Sequence, residues 1–117
     1  AFFAQPGCSL DTVDFIATHK YGCNATDTIA YVKMLHDRYH KPIWLTEFSC
    51  GGAPEAKQLD FMKHILPVFD TMKDVVARYA WFAARTNQRT SAQRHASLIS
   101  ADKDTLTTIG HWYNSTV

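Results

Sequence analysis

Three short runs of β-favouring residues, each followed by a stretch of different periodicity, limit this chain more than any other feature. Val13-Asp14-Phe15-Ile16-Ala17-Thr18, Ile43-Trp44-Leu45-Thr46-Glu47-Phe48 and Val75-Val76-Ala77-Arg78-Tyr79-Ala80-Trp81-Phe82 are rich in branched and aromatic side chains, the composition of buried strands. Between the first two, Ile29, Val32, Leu35 and Tyr39 recur on one helical stripe, with Asp27 placed to cap it and Pro42 placed beyond its end. Between the second and third, Leu59, Met62, Leu66 and Phe69, widened by Phe61, Ile65 and Val68, predict a helix over residues 54–72 that Pro67 kinks or divides. A polar loop over residues 84–96, the apolar Ser97-Leu98-Ile99 and a final helix near residues 106–113 complete the order. Strands alternating with helices imply parallel pairing through right-handed crossovers, and near-continuous apolar runs imply cover on both faces. The fold class is therefore α/β. A closed barrel takes eight such strands and roughly 250 residues, so three strands in 117 residues read as one incomplete domain, residues 1–117, of a larger unit. The first residue, Ala1, in place of Met fits the same expectation.

Composition narrows the partners. The apolar share of 46% suffices for a core, and Lys+Arg of 12 against Asp+Glu of 11, with no basic run, argues against nucleic acid and anionic lipid surfaces. No apolar stretch reaches the ~20 residues of a membrane span. His36, His40, His64, His95 and His111 show no paired metal-ligand spacing, so neither metal nor cofactor is expected. Two sequons, Asn24-Ala25-Thr26 and Asn114-Ser115-Thr116, point to the secretory pathway or cell surface.

In parallel α/β folds the chemistry collects at the C-terminal ends of the strands. Here those ends carry His19 and Tyr21, then Glu47, then Trp81 with Arg85, Asn87 and Arg89 in the loop beyond. Strict alternation puts Phe15, Ala17 and His19 on one face, Ile43, Leu45 and Glu47 on one face, and Ala77, Tyr79 and Trp81 on one face, with Trp44 turned away to pack under a helix. A carboxylate, a hydroxyl, an imidazole and a large aromatic plate around one opening suit a sugar: the indole stacks on the ring while the carboxylate attacks the anomeric carbon. Each residue also has a plainer role. Trp81 could fill the core, His19 could hold a neighbouring strand, the loop around Asn87 could be solvated, and Glu55 and Asp60 read as surface charges.

The segments ending in His19-Lys20-Tyr21 and in Thr46-Glu47-Phe48, together with Arg78-Tyr79-Ala80-Trp81-Phe82, Ser97-Leu98-Ile99 and Leu106-Thr107-Thr108-Ile109-Gly110-His111-Trp112-Tyr113, resemble clan A glycoside hydrolases, most closely glycoside hydrolase family 128. The resemblance covers nearly the whole chain and implies strands six to eight and the closing helix of a (β/α)₈ barrel. It implies a retaining endo-β-1,3-glucanase in which Glu47, on strand seven, is the nucleophile, with the acid/base glutamate on strand four, outside this chain. On that reading Tyr21 donates a hydrogen bond to ionised Glu47, and His19, Tyr21, Trp81 and Asn87 contact the polysaccharide. The isolated chain is then expected to be inactive. Other β-glycans, and a non-catalytic carbohydrate-binding or cell-wall protein that keeps the groove, are the alternatives. Of the three cysteines, Cys23 and Cys50 lie just beyond neighbouring strand ends on the same side, which predicts a disulfide worth roughly 3 kcal/mol and leaves Cys8 over.

Overall fold

A computed structural model describes Phe3, residues 5–86 and residues 92–116. After a short 3₁₀ turn at Leu10–Thr12 come β1 (Ile16–Tyr21), α1 (Ala25–Tyr39), β2 (Ile43–Ser49), α2 (Glu55–Thr71), β3 (Val76–Trp81) and α3 (Thr108–Thr116). The three strands form one parallel sheet in the order β1-β2-β3, as the alternation of strand and helix requires.

Helix α1 begins three residues earlier than the sequence suggests. Its cap is Asn24, whose side chain accepts the N–H of Asp27 at 3.1 Å, and Asp27 instead lies in the first turn, where its charge faces the positive helix end. The helix ends at Tyr39 because His40 adopts the left-handed conformation, with φ 51°. Pro67 does not divide α2, which runs unbroken from Glu55 to Thr71. Its buried neighbours Leu66 and Phe69 hold that turn against the sheet, where packing outweighs the lost hydrogen bond. The last helix starts at Thr108, not Leu106, because Leu106 pairs with Ile99 in an antiparallel bridge. Glu55 is more than a solvated charge: its carboxylate accepts the Thr108 N–H at 3.1 Å and so caps α3. Gly110 lies against the Ile99 hairpin, where an added Cβ would sit 2.8 Å from the Leu98 carbonyl carbon.

One face of the sheet is covered by helices. Ile43, Leu45, Phe48, Val76 and Trp81 point into it and meet Val32 of α1 and Phe61, Met62, Ile65, Leu66 and Phe69 of α2. Phe48 is the centre of this layer, with edge-to-face contacts to Phe61, Phe69, Tyr79 and Trp81. Tyr79 reaches back to α2 through a 3.1 Å hydrogen bond to Asp70; burial first, and then the Asp70 charge, push its phenol up to about 12.

The opposite face is not covered by these helices. Phe15 stacks flat on Trp44 at 3.7 Å between ring centroids, and the Arg78 guanidinium lies over the same indole at 5.1 Å. Trp44 therefore does not pack beneath a helix as simple alternation predicts. The cause is a bulge in β2. Leu45 pairs with Thr18 and Tyr79, but the next rungs join Glu47 to His19 and Phe48 to Trp81, so β2 holds one residue more than either neighbour across this stretch. Thr46 occupies the slip and spends its hydroxyl on the Thr18 carbonyl at 3.3 Å. Leu45 and Phe48 consequently both face the helices, and Glu47 faces the other way.

Candidate active site

The ends of β1 and β2 bring three of the sequence-selected residues together. His19 and Glu47 are opposite each other in the ladder, and Tyr21 lies one alternation further along the same face of β1. The Tyr21 hydroxyl donates a short hydrogen bond to Glu47 Oε2, and His19 Nδ1 lies 3.3 Å from the same oxygen. Both contacts fall on Oε2, which leaves Oε1 as the oxygen open to an incoming group. The Glu47 side chain retains 31% of its exposure and His19 retains 53%, so the carboxylate is reachable from solvent while being held from one side.

Burial, then the hydrogen bond to Glu47 and its negative charge, raise the Tyr21 phenol well above its ordinary value of 10. Tyr21 therefore stays a donor throughout the neutral and mildly alkaline range. A pH–rate profile of the complete protein should show the same alkaline limb with Tyr21→Phe as with the wild type. The rate itself should fall by roughly ten- to a hundredfold, the loss of a charge-assisted hydrogen bond. An alkaline limb that disappears in Tyr21→Phe would mean that the phenol ionises in the working range.

The third strand departs from the expectation. Trp81 does not share the face of Glu47: it is 5% exposed, packs on Phe48 and Phe61, and donates its indole N–H to the Ala96 carbonyl at 2.8 Å. The indole is buried in the core and leaves no open face for a sugar, so the platform role is corrected to a packing role. Register explains the error. β3 carries its own irregularity between the rungs Ile43–Val76 and Trp44–Arg78, which turns Tyr79 and Trp81 toward the helices. The next residue then takes the site side: the Phe82 ring meets Tyr21 edge-on at 6.2 Å, a contact that the alternation drawn from Ala77 hid. Asn87 and Arg89 lie outside the described residues. Arg85 is engaged by Asp104 at 2.8 Å and the Lys103 carbonyl at 3.3 Å. Among the described residues no three His, Cys, Asp or Glu side chains converge as a metal site, and no helix is long and apolar enough to cross a membrane.

Just beyond the carboxylate, Cys23 and Cys50 form the expected disulfide, with Cα atoms 4.4 Å apart, and Cys8 is free. The fully buried Gln58, which sequence reading passed over as one more polar helix residue, fastens the same turn. Its Oε1 accepts the Cys50 N–H at 2.9 Å, and its Nε2 donates to the carbonyls of Gly51 at 2.8 Å and Ala53 at 3.2 Å.

A parallel sheet with a strand-end glutamate, flanked by a tyrosine and a histidine on one oxygen, defines a piece of an α/β barrel built around a carboxylate. The sequence matches the glycosyl hydrolase catalytic core family over residues 1–113, and the chain belongs to that family, whose solved relatives are glycoside hydrolase family 128 enzymes. The structure is similar to an endo-β-1,3-glucanase of family 128 subgroup II from Sorangium cellulosum, with 35% identity and a TM-score of 0.78 over 95% of this chain and 43% of that one. It is also similar to a subgroup I endo-β-1,3-glucanase from Amycolatopsis mediterranei crystallised with laminaritriose and laminaribiose, with 27% identity and a TM-score of 0.75 over 90% of this chain and 46% of that one. Alkali-sensitive linkage protein 1 of Schizosaccharomyces pombe is 34% identical over 113 residues, 92% of this chain and 21% of the relative. The chain thus spans less than half of each of these proteins, and its fold is a part of the (β/α)₈ barrel of the family 128 enzymes.

Proposed function

We propose that the complete protein hydrolyses a β-1,3-linked glucan with retention of anomeric configuration, with Glu47 as its nucleophile. The observation that carries this reading is the Glu47 carboxylate at the end of β2, held through Oε2 by Tyr21 and His19 with Oε1 left for attack. Oε1 adds to the anomeric carbon as the glycosidic oxygen leaves, giving a glycosyl ester. A carboxylic acid supplied from outside this chain protonates that oxygen and then takes a proton from the water that cleaves the ester. Two such groups must stand about 5 Å apart, so the chain alone lacks half of the chemistry and is expected to be inactive. Tyr21 keeps Oε2 occupied as a hydrogen-bond acceptor, His19 is placed to meet a sugar hydroxyl, and Phe82 supplies an aromatic edge. Asn87 remains a proposed sugar contact from the loop after β3. The laminari-oligosaccharide bound to the Amycolatopsis relative supports the choice of linkage. The Cys23–Cys50 bridge and the two sequons support secretion or cell-surface display, where disulfides persist.

The test is an assay of reducing ends released by the complete protein from β-1,3-glucan, β-1,4-glucan and mannan, with the configuration of the first product followed by NMR. Turnover of the β-1,3 polymer giving the β-anomer is expected. Turnover confined to another polymer would move the specificity, and sugar binding without turnover would favour a non-catalytic wall protein.

A further inference from the structure

Tyr21 sits where the ladder alone holds it least. It is the last residue of β1, an outer strand of the described sheet, beyond the point where the β1–β2 register slips. A second connection lies directly above it. Cys23 follows Tyr21 by two residues, Cys50 follows Glu47 by three, and the two are joined by the disulfide. Between Tyr21 and Cys23, Gly22 adopts φ 134° and donates its N–H to the Ser49 carbonyl at 2.9 Å, so the turn is pressed against the end of β2. On the other side, Gln58 ties Cys50, Gly51 and Ala53 to the body of α2. A continuous route of short covalent and hydrogen-bonded steps therefore runs from the packed helix through Cys50 and Cys23 to the tyrosine that touches Glu47.

We propose that the Cys23–Cys50 bridge is a positioning clamp: it holds the Tyr21 hydroxyl on Glu47 Oε2 and so sets the rate of turnover, beyond any effect on stability. This rests on the reading of Glu47 as nucleophile. Opening the bridge frees the two turns to separate, and displacement of an oriented donor is costly in rate even when the substrate still binds.

The experiment uses the complete protein with its bridge intact, with Cys23→Ser and Cys50→Ser combined, and each of these again with Tyr21→Phe. The clamp predicts that the serine pair lowers kcat about tenfold with KM changed less than about twofold, measured well below the melting temperature. In the Tyr21→Phe background, where there is no hydroxyl left to position, the same pair should cost less than about twofold. As a second preparation, the bridge of the wild type is opened by a dithiol, which is oxidised to its cyclic disulfide while Cys23 and Cys50 become thiols, and both are then alkylated. Equal losses in the two backgrounds, or a lower melting temperature with unchanged kcat, overturn the clamp. A fluorinated glycoside separates this from the underlying assignment. Label on Glu47 with additive losses removes the clamp alone, whereas label on another residue removes the nucleophile and the clamp with it.

Discussion

Glu47→Gln in the complete protein is expected to lower glucan turnover by about 10³-fold or more, a rise of roughly 4 kcal/mol in the barrier, while the fold and sugar binding persist. The amide is nearly isosteric with the carboxylate and can still accept the Tyr21 hydroxyl through its oxygen, so the local contact is preserved. What it loses is an anionic oxygen able to form the glycosyl ester, and among the described residues the acids that follow Glu47 most closely in sequence are engaged elsewhere. Glu55 is committed to the N-terminus of α3, and Asp60 lies on α2 beside His64. Kinetics on a laminari-oligosaccharide, with affinity measured separately by calorimetry, checks the split. Wild-type turnover by Glu47→Gln would remove the residue from its role, and loss of binding equal to the loss of turnover would make it a binding group.

Trp81→Ala should destabilise the complete protein by about 3–5 kcal/mol and leave its affinity for sugar nearly unchanged. The indole is almost fully buried between Phe48 and Phe61, so truncation opens a cavity in the layer that joins the sheet to α2. The Ala96 carbonyl also loses its donor. For a barrel of this size, the expected loss corresponds to roughly a 10 °C drop in Tm. Thermal melts and calorimetric titration of the purified variant distinguish the two roles. Weakened sugar binding with an unchanged Tm would restore the stacking role that the sequence pattern first suggested.

The contrast between Glu47 and Trp81 marks how far the sequence was readable. Strand and helix order followed from periodicity, because burial on both faces leaves apolar runs that polar loops cannot imitate. The cluster of His19, Tyr21 and Glu47 followed from parallel topology, which brings strand ends to one side whatever their register. The disulfide followed for the same reason. Face assignments were less readable, since parity counting assumes an uninterrupted ladder and both strand pairings contain a slip. Trp44 and Trp81 were each put on the wrong side by that assumption, and Phe82 was overlooked with them. Side chains that satisfy distant backbone groups were also hidden. Gln58 and Glu55 look like ordinary polar helix residues until the turns that they reach are in place. Asn24 was hidden more locally, because Asn24 and Asp27 are both good capping residues and only the chain's entry into α1 decides between them.

The extra residue in β2 separates two requirements that an ordinary strand must meet together. In a regular ladder one phase governs every side chain, so any adjustment that moves the carboxylate along the strand by one residue also turns it over. Thr46 breaks that link. Glu47 stands on the rung directly after Leu45, opposite His19, so the extra residue is taken up within one rung, and Glu47 and Phe48 keep the rungs and the faces that a strand without Thr46 would give them. The bulge thus buffers a one-residue insertion: Glu47 keeps its rung and its direction, and Thr46 is left free to tie β2 to β1 through its hydroxyl.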